Sequence, residues 1–120
     1  MNKFMLTALV VFFTLLSGIG DAQGFIHASK IWDNGKLVLR EVGKSSLGYL
    51  IGIILFWIAI KFLRDLGIVS SGLQSIIWFA ATIIGVALMS GDFFRWDLID
   101  KLISVVTIIC ISLLIYRTGA

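Results

Sequence analysis

Hydrophobic and polar positions alternate in blocks along this chain: apolar stretches cover 47–63, 73–89 and 102–116, and polar clusters lie before and between them. About 20 apolar residues are needed to cross a bilayer as a helix. The 73–89 stretch (LQSIIWFAATIIGVALM) has no charge and reaches that length once 68–72 is counted. The pattern therefore predicts an all-α membrane protein with three short transmembrane helices, near 47–63, 70–89 and 100–116, within a helical domain 47–120.

The start of the chain has the layout of an export signal. Lys3 is the positive end, 4–16 the apolar middle, and Gly20-Asp21-Ala22 a small-x-small pattern before Gln23. This predicts a signal peptide over 1–22, cleaved between Ala22 and Gln23. The alternative is an uncleaved first helix, whose apolar run, extended to Ile19, is short for a full span.

The next segment, 23–46, is the extended polar part, with His27, Lys30, Asp33, Lys36, Arg40, Glu41 and Lys44 among aromatic and aliphatic residues. Asp33-Asn34-Gly35 fits either the tight turn of a hairpin or a break between two short amphipathic helices at the interface. The helical form is preferred here, with Phe25 and Trp32 against headgroups. His27 stands without a second His, a Cys or a nearby carboxylate pair in the sequence, so it reads as structural.

Small residues at four-residue spacing mark candidate helix contacts. Gly48 and Gly52 form a GxxxG pair in the first of these spans, and Ala81 and Gly85 repeat the spacing in the second; such faces let helix backbones approach closely. Lys61 and Arg64 form a basic turn at the end of the first span. No Asp, Glu, Arg or Lys falls in the middle of the three stretches, which removes the usual sign of an ion or proton relay from them. In the second connector, Asp97 is placed to cap a helix whose first turn contains Asp100.

Composition narrows the class. With 59% hydrophobic and 14% charged residues, no proline and a mean hydropathy of +1.05, the chain lies outside the soluble range. Its net charge of +3 is spread over single basic residues, so no stripe tracks nucleic-acid phosphates. Cys110 is the lone cysteine, and a single histidine with no phosphate loop offers nothing that assembles a catalytic set. No enzyme activity, metal or cofactor is expected. The basic inner connector puts 23–46 and 92–101 outside and 64–72 inside.

A cleavable signal, an amphipathic region, a helix pair rich in small residues and the basic turn Lys61-Phe62-Leu63-Arg64 are similar to the pilin subunits of conjugation and type IV secretion systems. The stretch from Ile77 to Tyr116, with Gly85, Gly91 and Arg95-Trp96-Asp97, also resembles that family's hairpin, so the basic turn is Lys61/Arg64 in one alignment and Arg95/Lys101 in the other. The resemblance implies a bacterial inner-membrane subunit, extracted into a filament and packed with phospholipid. The expected partners are membrane lipid and either further copies of the chain or other membrane subunits. An accessory subunit of a larger membrane complex and a holin-like pore former are the competing readings.

Overall fold

The computed structural model describes residues 1–118, so the last two residues of the expected 47–120 domain lie outside it. Its elements are α1 (Lys3–Ala28), β1 (Trp32–Asp33), β2 (Lys36–Leu37), α2 (Leu39–Asp65), α3 (Ser71–Met89), α4 (Asp92–Arg95) and α5 (Leu98–Thr118). Four of the helices, α1, α2, α3 and α5, are long and apolar enough to cross a membrane. Three of these match the expected spans, and the fourth, α1, covers the expected signal segment and is the helix on which α2 and α3 pack.

Helix α1 starts where the Asn2 side chain accepts a hydrogen bond from the Met5 amide at 2.8 Å and runs unbroken for 26 residues. The expected boundary between Ala22 and Gln23 falls inside this helix, and Ala22 is fully buried. Two short amphipathic helices in 23–46 are not what forms. The chain instead leaves α1 at Ala28, turns back through a small antiparallel hairpin that pairs Trp32 with Leu37 and Asp33 with Lys36, and enters α2 at Leu39. The reason lies in the turn: Asn34 and Gly35 both adopt positive φ, 50° and 76°, the signature of the tightest hairpin connection, and Asn-Gly tolerates it best. The Val38 amide closes the ladder on the Ile31 carbonyl at 2.7 Å.

Helix α2 ends as backbone geometry requires. Gly67 takes φ +88°, its amide bonds the Arg64 carbonyl at 2.9 Å, and the Ile68 amide reaches back to the Leu63 carbonyl at 2.9 Å. That pair of bonds is the Schellman closure, which satisfies carbonyls the helix leaves open. Ile68 then packs on a cluster of Phe56, Ala59 and Leu63, which also gathers Val10 and Phe13 from α1 and Ile77 and Trp78 from α3.

Helix α1 lies between α2 and α3. It can do so because its small residues fall at every second position, Gly18, Gly20, Ala22 and Gly24. Two residues turn a helix by about 200°, so Gly20 and Gly24 share one face while Gly18 and Ala22 share the opposite one. A Cβ on Gly20 would come within 2.9 Å of the Gly52 nitrogen, and one on Gly48 within 2.6 Å of the Gly24 nitrogen. Across the helix, a Cβ on Gly18 would meet the Ala81 carbonyl oxygen at 2.9 Å, and one on Gly85 the Gly18 oxygen at 2.8 Å. Helix α5 stands apart from this core, reached through α4 and packed on α3, and none of its residues is buried. Asp97 caps it as the sequence suggests, accepting from the Asp100 amide at 3.0 Å.

Candidate functional site

The small-residue pairs singled out in the sequence, Gly48/Gly52 and Ala81/Gly85, meet matching pairs on α1 of the same chain. Their close approach buries the backbone between them, where a polar atom left without a partner is costly. Ser17 does: its hydroxyl donates to the Gly52 carbonyl at 2.6 Å. Ser45, one turn before Gly48 on α2, donates to the Gly24 carbonyl at 2.8 Å.

Between these two bonds lies Asp21, fully buried at the level of Gly52 on α2 and Thr82 on α3, inside the apolar stretches of both helices. Its Oδ2 accepts from the Thr82 hydroxyl at 3.0 Å. Its Oδ1 points at Gly52 and has no hydrogen-bond partner among the described residues. The indole N–H of Trp78 stands near the carboxyl group, short of a hydrogen bond, and is likewise unpartnered. One turn below Ser17, the buried Thr14 hydroxyl also lacks a partner. Thr14, Ser17 and Asp21 repeat at the spacing of one helix face, so α1 carries a polar line from the membrane interior toward its outer end.

At that outer end the seam closes with a charged pair, His27 Nδ1 against Glu41 Oε2 at 2.5 Å. His27 is therefore not solitary as the sequence suggested. Its carboxylate partner lies 14 residues on, and the hairpin folds the two helix ends back together. Phe25 packs edge to face on Tyr49 beside it, with ring centroids 5.2 Å apart.

The other sequence-selected residues fall elsewhere. Lys61 and Arg64 sit exposed on the last turns of α2, at the opposite end of the bundle from the His27–Glu41 pair. Arg95 is tied to its own short helix, bonding Asp92 at 2.8 Å and the Ser90 carbonyl at 3.1 Å. Gln23 is half-buried within α1, and Cys110 is exposed on α5. Among the described residues no group of three or more His, Cys, Asp or Glu side chains is placed to hold a metal ion.

No family model, curated protein or solved structure matches this chain. Two features of the fold stand out from plain helix packing: the buried polar junction at Asp21 and the lightly packed α5. Between α3 and α5 a crevice of about 490 Å³ opens, lined by Ile84, Leu88, Phe93, Trp96, Val105 and Ile108 among others. A gap of that size between neighbouring helices means that α3 and α5 touch without interlocking.

Proposed function

We propose that this protein is a structural or accessory subunit of a larger membrane assembly, held in the bilayer by α1, α2 and α3 and joined to its neighbours through α5. The observation that carries the reading is the contrast between the first three helices and the last. Every small-residue pair of α1, α2 and α3 is used within the chain, whereas α5 is a full apolar span with no buried residue. Helices in lipid associate through close van der Waals packing and a few hydrogen bonds, and α5 makes neither kind of contact extensively with its own chain.

A subunit of a secretion or conjugation apparatus in a bacterial inner membrane is the narrower form of the same proposal. Its support is the signal-like start and the pilin-like arrangement of small residues and basic turn. The packing favours the broader form with α1 retained, because Gly48, Gly52, Ala81 and Gly85 all close on residues 18–24. A photo-crosslinker introduced at Val106 or Leu113, on the exposed side of α5, tests the proposal in native membranes. Adducts with another polypeptide, or with a second copy of this chain, are expected there and not at Trp57 on α2. Adducts with lipid alone at both α5 positions overturn it.

A further inference from the structure

Asp21 is the one acidic side chain buried in the middle of a helix among the described residues, and the subunit reading makes no use of it. Its carboxyl group faces three helices. Helix α2 brings Gly52 and, one turn outward, Tyr49; α3 brings Thr82 and Trp78 and has no titratable residue at all. On α1 itself His27 stands almost two turns outward, and the basic residues of α2, Arg40, Lys44, Lys61 and Arg64, lie near its two ends. No cationic side chain bonds the carboxyl group, so a buried negative charge there would have no partner.

Two small ligands neutralise a carboxylate, a proton and a metal cation. The surroundings select between them. A monovalent or divalent cation needs several oxygen atoms aimed at one point. Here the Ser17 hydroxyl is spent on the Gly52 carbonyl, and the remaining groups next to Asp21 are the Thr82 hydroxyl, which donates to it, and an indole N–H, which has no lone pair to offer. A proton needs one free oxygen, and Oδ1 is free.

We propose that Asp21 is an intramembrane proton-binding site that exchanges with the membrane face carrying the β1–β2 hairpin, along the polar seam between α1 and α2. The seam supplies groups in sequence toward that face: Tyr49, Ser45 and then the His27–Glu41 pair, which meets water. The step balances simply. A hydronium ion at the outer pair gives up one proton, water is left behind, and the Asp21 carboxylate becomes a carboxylic acid with its new O–H bond on Oδ1.

Infrared spectroscopy of the full chain, reconstituted in phosphatidylcholine vesicles, reads this directly. The expected spectrum has a protonated-carboxyl C=O band that shifts when external water is exchanged for D2O and is lost in Asp21→Asn. Thr82→Val keeps the carboxyl group and removes its hydrogen-bond donor, so it should move the band to higher frequency. This second variant identifies the band even where Asp21→Asn does not fold. Glu41→Gln and His27→Ala should retain the band and slow its deuterium shift. The proposal is overturned by any of three results: no band that responds to Asp21→Asn or Thr82→Val, a band that vanishes when choline is replaced by sodium at fixed pH, or a deuterium shift whose rate ignores both outer variants.

Discussion

At the scale of single residues the glycines of α2 do opposite things. Gly52 sits against Asp21 of α1, where a Cβ would lie 3.0 Å from the Asp21 backbone nitrogen and closer still to its carboxyl group. Gly43, two and a half turns earlier, has nothing within 4 Å of its missing Cβ. Overfilling a packed contact costs about 1–3 kcal/mol, whereas replacing an unneeded helix glycine by alanine gains roughly 0.5–1 kcal/mol. Gly52→Ala should therefore lower stability and Gly43→Ala raise it, read as opposite shifts of the unfolding midpoint in a mixed-micelle SDS titration. Equal shifts would mean that α1 does not press on α2. Removing the Thr82 hydroxyl is milder. Thr82→Val should lower stability in the same titration by about 0.6 kcal/mol, the average for hydrogen bonds between membrane helices.

At the scale of elements α1 decides how much of the fold is legible in the chain. The apolar blocks disclose α2, α3 and α5 because uncharged runs of that length have few other uses, whereas Asn34-Gly35 admits the hairpin turn but the aromatic and basic pattern of 23–46 favours two helices over it. The segment that carries two readings is Gly20-Asp21-Ala22. Small residues around a short apolar helix suit a peptidase pocket and suit close contact between helices equally well, and sequence spacing alone does not separate the two. The separating signal is the alternation Gly18, Gly20, Ala22, Gly24, which is more than a cleavage site requires and matches the pairs on two later helices. Asp21 is hidden for the same reason: once assigned to a cleavage motif, it is not counted as a charge within a span. We expect the membrane-extracted protein to have the intact mass of a chain that begins at Met1. A chain expressed from Gln23 should still enter membranes through its remaining apolar helices but lose protease resistance, since Gly48, Gly52, Ala81 and Gly85 would face no partner. A mass that begins at Gln23, with resistance intact, would contradict both expectations.

At the scale of the whole molecule, four crossings, if each long apolar helix spans the bilayer, would return the chain to the side on which it began. The connector before α2 and the one around α4 then share one face, and the α2–α3 connector shares the other with both ends of the described chain. Lys3, Lys61, Arg64 and Arg117 lie toward the α2–α3 connector and Lys30, Lys36, Arg40, Lys44, Arg95 and Lys101 toward the other face, so the basic residues do not fix the orientation, and the proposal that the hairpin face is outside rests on the export-signal layout of the start. In a Cys110→Ser background, single cysteines at Asn34 and Asp92 should react with an impermeant maleimide applied outside, and one at Val69 should not. Labelling of Asn34 and Val69 from the same side would remove α2 as a crossing.

The position of α1 between two helices that follow it also sets an order of events during synthesis. It precedes both in the chain, and the contact of Asp21 with Thr82 spans 61 residues, so its second face stays uncovered until α3 has emerged. Throughout that interval Gly20, Asp21 and Ala22 are within reach of any peptidase that recognises small side chains, and afterwards they are enclosed. Closure of α3 over this stretch thus acts as protection in time: an intact chain requires that 71–89 reach α1 before any such peptidase does.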